Sequence, residues 1–335
     1  MTARRGVGLT PMETRRDVIV RAAVLADELG YEVFAVPEGW GLDSAPVLTE
    51  IALRTSRIRL ASGVLSVWGR TPATLAMTAA TLHQVSGGRY ILGLGASTRA
   101  LAEGFHDVPF QHPAAKLREV VTKVRALLAG EPAMLGQANG AYPLRLGQPP
   151  VPELPIWVAA LGEHSLRVAA ELADAWIPAF VARDSLAGLA DTLREMRQAA
   201  APQAGPLTIA AGPLTVVAGD TAAARDIAAA CVAWYLTAMG DVYATSVSRQ
   251  GYAAQVKEII AANPRPSPSR GIVPPGAEPV LEQLAAYGTG DEVSRQLKEW
   301  ERAADIVTVM LPPGLPWHAI DATLRAGSAR PSGTG

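Results

Sequence analysis

The sequence holds one cysteine, Cys231, in 335 residues, so no disulfide can join two parts of the chain and a cysteine-rich metal site is excluded. Histidine is also scarce. None of the five is paired at the i, i+4 spacing of a helical zinc site, and no HExxH stretch occurs, so no metal is expected. No apolar run approaches the roughly 18–20 residues that a membrane span requires. Met1-Thr2-Ala3-Arg4-Arg5 leads directly into a strand-like stretch, without the apolar core of a signal peptide. A cytoplasmic protein is therefore the expectation.

An excess of charge of one sign is missing too. Thirty basic residues against thirty-one acidic ones leave a net charge of −1, which gives no electrostatic footprint for nucleic acid or an anionic membrane. The basic residues are almost all arginine, which genomic base composition explains more simply than phosphate recognition does. Aromatics make up only 5%, so several gathered in one place carry information. What the chain does have is apolar content, 49%, and a length that fits one barrel of about 250 residues plus insertions.

Short apolar runs alternate with amphipathic segments throughout. Strands are expected at Gly6–Thr10, Val33–Pro37, Ile58–Leu65, Tyr90–Leu94, Ile156–Leu161, Trp176–Phe180, Leu207–Ala218 and Ile306–Leu311. Helices between them end or begin at turn residues, such as Gly30 after Leu29 and Pro72 ahead of Ala73. Gly130–Pro155 reads as a surface excursion with a short hairpin around Gly140. Asn263–Pro279, with six prolines, reads as an irregular loop, and helices are expected over Pro279–Tyr287 and Asp291–Ala303. Eight apolar strands, each followed by a helix, predict an α/β fold of the (β/α)8 TIM-barrel type rather than an open doubly wound sheet. The reading is one domain over 1–335, with insertions at about 130–155 and 240–290.

In such a barrel the chemistry gathers at the C-terminal ends of the strands. That rule selects Glu38, Gly39, Trp40 and Asp43 after the second strand, and Ser62, Gly63 and Val64 at the end of the third, with Trp68 and Arg70 beyond. After the fourth come Gly95, Ala96, Ser97 and Thr98. After the fifth come Ala160, Gly162, Glu163, His164 and Ser165. Gly162-Glu163-His164 lies where a strand hands over to a helix, a place suited to an anion, although glycine and serine also serve simply to make the turn. Glycine at 63, where a bulky residue is expected, signals either a barrel-corner kink or a flat ligand lying close to the backbone. Trp40, Asp43, Trp68 and Phe105 are candidates to shape a substrate pocket. Glu38 and His106 are the candidates to handle protons.

Two stretches carry a resemblance. Thr55-Ser56-Arg57-Ile58-Arg59-Leu60-Ala61-Ser62-Gly63-Val64-Leu65, and the run from Ala80 to Gly95 that reads ATLHQVSGGRYILGLG, are similar to blocks of the luciferase-like flavin-dependent oxidoreductases. Glu38 with Asp43, and Ala159 through Trp176, resemble further blocks, so the likeness covers nearly the whole chain. Arg70-Thr71-Pro72-Ala73 and Glu103 through Phe110 look like the branch that uses the deazaflavin coenzyme F420. The resemblance implies a tricyclic cofactor resting on Ser62, Gly63 and Val64, with Gly95, Ala96, Ser97 and Ala160 around it and a cis peptide at Gly63-Val64. It places the cofactor phosphate at Gly162, Glu163 and His164. Glu163 departs from the family, which often carries proline there and then a basic residue, so its carboxylate is expected to point away from the phosphate. The glutamate that sugar-phosphate dehydrogenases of the family carry after the fourth strand is replaced by Thr98, which argues against glucose 6-phosphate. The implied activity is hydride transfer between F420 and a small organic substrate in a homodimer. The alternatives are an FMN-dependent monooxygenase of the same fold and a non-catalytic flavin-binding paralogue.

Overall fold

The computed structural model describes residues 4–136 and 140–329. Its strands are β1 (Arg4–Leu9), β2 (Val33–Val36), β3 (Arg59–Ser62), β4 (Leu65–Ser66), β5 (Tyr90–Gly95), β6 (Ile156–Ala159), β7 (Ala175–Trp176), β8 (Thr208–Ala211), β9 (Leu214–Val217), β10 (Ala285–Gly288) and β11 (Ile306–Leu311). The order β1-β2-β3-β5-β6-β7-β8-β11 closes on itself, with β11 lying parallel to β1 over its full length. β4 prolongs the third position against β5. The result is the expected eight-position parallel barrel sheathed by helices. The strands read as continuous apolar runs because both of their faces are covered.

Local chemistry sets the ends of the helices. The helix Arg16–Leu29 stops at Gly30, whose φ of 78° lets its N–H turn back to the last carbonyls. Thr71 caps Pro72–Val85 by accepting from Thr74 N–H at 3.1 Å, and proline at the first helical position has no N–H to leave unpaired.

Three segments differ from the expectation. Of Trp176–Phe180 only Trp176 is strand, in β7, and the rest is irregular with Phe180 at a φ of 56°. Leu207–Ala218 is not one strand but breaks at Gly212-Pro213. A side chain at Gly212 would stand 2.0 Å from Thr308 O, and proline offers no N–H to a ladder. β8 stays in the ring, while β9 touches β11 only at Met310 and pairs along its length with β10. Residues 285–287, expected to finish a helix, form that β10 together with Gly288. The helix Glu278–Leu284 ends one turn early because pairing with β9 outweighs a short helical pattern. Of the expected hairpin around Gly140, the flanks hold one rung, Ala133 N–H to Leu144 O at 2.8 Å, and its tip at 137–139 lies outside the described residues.

The barrel interior is filled low down and open above. Val33, Ala61, Ile91, Trp157, Ala175, Ala210 and Ile306 pack into a buried plug. Two residues further along the strands the lining shrinks to Gly8, Ala35, Gly63 and Ala159 around Thr308, and all of these keep partial accessibility. A pit therefore opens at the C-terminal end of the strands.

Candidate active site

The wall of the pit between β3 and β6 is built from backbone. Gly63-Val64 is a cis peptide that separates β3 from β4, at the expected position. β5 receives this bulge through its glycines. A Cβ on Gly93 would stand 1.9 Å from Ser62 O, and one on Gly95 would stand 2.8 Å from Val64 Cγ2. Gly63 has the same restriction, with Ala35 Cβ at 2.9 Å. Ser62 itself is sealed beneath the rim. Its hydroxyl donates to Gly93 O (3.0 Å) and accepts from Gly93 N–H (2.8 Å) and Tyr90 OH (3.2 Å). Strand register sets Ser66, Gly95 and Ala159 side by side, so the bulge, Gly95-Ala96-Ser97 and Ala160 through His164 emerge from adjacent strands at one end of the barrel.

Gly162 opens the helix Glu163–Leu172 with no side chain capping it. Its first-turn N–H groups and dipole face outward past an unobstructed glycine. Glu163 turns to Arg167 one turn along (2.7 Å) on the exposed face, which takes its charge away from that N-terminus. His164 is exposed, and Ser165 Oγ donates to Gly162 O at 2.8 Å. Ala160 is buried, and its carbonyl accepts from Trp176 Nε1 at 2.9 Å.

Beside this rim, on the loops after β2 and β4, Glu38 sits in a charge network. Arg70 grips its carboxylate with both terminal nitrogens, one contact being Nη2–Oε2 at 2.9 Å, and Ser44 N–H donates to Oε2 at 3.1 Å. Arg70 also reaches Asp43 at 3.0 Å, and Asp43 caps the helix Ser44–Arg54 through Ala45 N–H. Trp68 is a strut, with Nε1 donating to Ala96 O at 2.7 Å and its ring 5.5 Å from that of Phe110. His106 is half-buried, lies against Gly69 and meets Phe105 edge to face at 5.1 Å. Its imidazole has no hydrogen bond among the described residues. Phe105 is exposed.

Sequence reasoning missed the roof. The helix Thr221–Ala238 ends over the mouth with Trp234 and Tyr235, followed by Met239 and Tyr243. Trp40 meets Trp234 at 6.3 Å, and Phe180, just past β7, stacks on Tyr235 at 4.2 Å. Met12 beyond β1 and Met310 at the inner end of β11 pack into the same cluster, and Thr98 lies beside Gly240. Loops after four different strands thus converge on one helix end. The Trp-Tyr pair closing an alanine-rich helix was the available signal, but periodicity does not say which helix crosses the barrel.

The comparisons agree with this architecture. A family model described as luciferase-like monooxygenase matches residues 1–305. A putative coenzyme F420-dependent oxidoreductase of Mycobacterium tuberculosis is 29% identical over 326 residues, covering 91% of both chains. The coenzyme F420-dependent tetrahydromethanopterin reductase of Methanopyrus kandleri superposes with a TM-score of 0.78 at 21% identity, over 97% of this chain and 98% of that one. The oxygenating constituent of 3,6-diketocamphane monooxygenase from Pseudomonas putida, in complex with FMN, superposes at 0.68 with 16% identity and 98% coverage of each. The chain belongs to the luciferase-like monooxygenase family and is an oxidoreductase of that family.

Proposed function

We propose that this protein uses coenzyme F420 and exchanges hydride between the deazaflavin and a small organic molecule held in the barrel mouth. The observation that carries the reading is the backbone-lined rim at Gly63, Val64, Gly93 and Gly95. There the chain gives up side chains on two neighbouring strands and leaves a surface against which a flat ring system lies without obstruction. The rim therefore fits a tricyclic cofactor. Val64 and Gly63 would floor it, Gly95, Ala96 and Ser97 would edge it, and the open helix start at Gly162 through His164 would take the phosphate. The full-length likeness to an F420-dependent oxidoreductase supports deazaflavin over FMN.

The cofactor, when bound, supplies a hydride at a carbon where FMN has nitrogen, and this disfavours oxygen adducts. The protein's share is positioning and proton handling. Glu38 is committed to Arg70 and to Ser44 N–H, and we assign it to holding the loops after β2 and β4 together. His106, with its unbonded imidazole, is proposed as the rim group that exchanges protons between the site and solvent. Among the described residues no helix is by itself long and apolar enough to cross a membrane.

The test is a titration of the purified protein with F420 and with FMN, each oxidised and reduced, followed by fluorescence. Micromolar or tighter binding of F420 alone is the expected result. Preference for reduced FMN would move the case to oxygen chemistry, and binding of neither would sink the assignment.

A further inference from the structure

We propose that Tyr235 donates the hydrogen bond, and then the proton, to the substrate's oxygen atom, and that the substrate is an uncharged ketone (in reverse, a secondary alcohol) with apolar groups flanking the reacting carbon. The inference rests on the deazaflavin reading above and adds the substrate class and the residue that meets it.

Tyr235 is held from three sides. Phe180 lies on its ring at 4.2 Å with the planes 31° apart, and Trp234 and Tyr243 present edges at 5.5 and 5.2 Å. Phe180 adopts a φ of 56°, a left-handed conformation that a bulky residue keeps only where its surroundings enforce it. The Tyr235 side chain is thus fixed, and the residue is 3% exposed. A phenol buried this far ordinarily finds a partner. This one has none among the described residues. Nor is its oxygen walled in, since the sealed and partnerless side-chain atoms are Arg5 Nη1, Thr10 Oγ1, Ser44 Oγ and His83 Nδ1. The hydroxyl therefore opens onto accessible space. Met310, rising from the inner face of β11, belongs to the same cluster, and so does Phe180, four residues past β7. Met310 shares the inward face of β11 with Thr308, so we take the space that the hydroxyl faces to be the barrel mouth. Tyr243 carries a second hydroxyl without a partner beside it.

The carboxylates and guanidinium of the mouth are already spent on one another. Glu38, Arg70 and Asp43 satisfy one another, Trp68 Nε1 is bonded to Ala96 O, and the Ser62 hydroxyl is used within the sheet. Apart from the uncharged Thr308 hydroxyl, the side chains around the pit are apolar: Trp40, Trp234, Met239 and Ile177. Neutral hydroxyl donors over an otherwise apolar pit suit an uncharged acceptor oxygen on an apolar frame.

In the reductive direction the carbonyl carbon gains a hydride, two electrons and a proton's mass, from the reduced deazaflavin, which is oxidised. The C=O π pair moves onto oxygen, which takes the proton of Tyr235 and becomes a hydroxyl. The phenolate left behind regains a proton from solvent. Burial keeps both phenols protonated until that moment, with Tyr243 pushed up to about 12 and Tyr235 raised well above 10, also by burial first and by its neighbour Tyr243 second. An alkoxide is more basic than either phenolate, so the transfer runs toward the substrate.

The experiment uses the full-length protein and two probes of the same shape, acetophenone and ethylbenzene, with binding read from tryptophan fluorescence with and without F420. In Tyr235→Phe the affinity for acetophenone is expected to fall about five- to tenfold relative to ethylbenzene, the worth of one neutral hydrogen bond. F420 binding and melting temperature should not change, because the hydroxyl has no hydrogen bond among the described residues. Loaded with reduced F420, the variant should reduce the ketone about a hundredfold more slowly or worse. Tyr243→Phe, which removes the neighbouring hydroxyl, should keep the ketone preference. A relative affinity unchanged in Tyr235→Phe, or wild-type protein that does not bind acetophenone, overturns the proposal. Ketone preference that disappears with Tyr235 in a protein that binds no F420 would uphold the tyrosine contact and sink the cofactor reading instead.

Discussion

Replacing Gly95 with alanine tests whether the β3–β5 rim is a cofactor surface or only a barrel corner. The added methyl would stand 2.8 Å from Val64 Cγ2 and 3.5 Å from Ala159 Cβ. The second contact is ordinary and the first is not. Carbon atoms settle at about 3.5–4.0 Å, so Val64 has to withdraw by roughly 1 Å. Overpacking of this kind costs about 1–3 kcal/mol, which a protein of this size tolerates. Val64 is partly accessible and faces the pit, so its withdrawal changes the floor on which the cofactor would lie. A misplacement of about 1 Å at such a surface is worth about a hundredfold. Gly95→Ala should therefore stay folded, melt a few degrees lower and lose about 10- to 100-fold in F420 affinity by fluorescence titration.

Two neighbours calibrate the result. Gly93→Ala would drive a methyl to 1.9 Å from Ser62 O, a backbone atom held in the sheet, so this variant should not fold. Gly162→Ala meets only Ser165 Oγ at 3.8 Å and should fold normally. A Gly95→Ala protein that melts lower yet binds F420 within twofold of wild type would refute the reasoning, because the rim would then be a packing feature alone.

Asp27 accepts from the N–H groups of Ser56, Arg57 and Ile58 at 3.0, 3.1 and 2.7 Å, tying the end of the first helix to the start of β3. Burial opposes its charge, but these bonds and Arg57 outweigh it and hold the carboxyl below its usual range. Asp27→Ala should lose about 2–4 kcal/mol in urea unfolding at neutral pH, and a loss under about 1 kcal/mol would contradict the reading. Because the folded value is the lower one, the stability is fully present above the unfolded carboxyl value of about 3.9 and disappears as pH falls through the folded value. The gap between wild type and Asp27→Asn should accordingly close in acid and not in base. For the Glu38–Arg70 pair, Glu38→Gln and Arg70→Met should each cost about 1–3 kcal/mol, with the double variant less destabilised than the sum. If Glu38→Gln abolishes turnover in a protein as stable as wild type, Glu38 is a proton carrier after all. His106→Ala, compared with Tyr235→Phe in steady-state kinetics, separates the rim from the roof, and an unchanged turnover rate would remove His106 from the proton chemistry.

The frame was legible because a closed parallel sheet imposes a strict local rule on the chain. All eight ring positions coincide with apolar runs, and the glycines at 63, 93 and 95 mark where two strands exchange side chains for backbone. The departures have one physical origin, which is tertiary pairing that local patterning does not encode. Ala285-Ala286-Tyr287 follows a helix closely enough to read as its last turn, and only the presence of β9 alongside makes it a strand. The same holds for function. Glu38 looks like a free carboxylate in sequence, but its role depends on Arg70, 32 residues away, which takes both of its oxygens. Tyr235 looks like a core residue on an alanine-rich helix, and its role depends on where a 110° bend between that helix and the next leaves the helix end. Strand ends are assigned to the mouth by the barrel's topology. A helix that reaches the mouth from an insertion is not, so the residues that would set cofactor class were readable, and those that would choose the substrate were not.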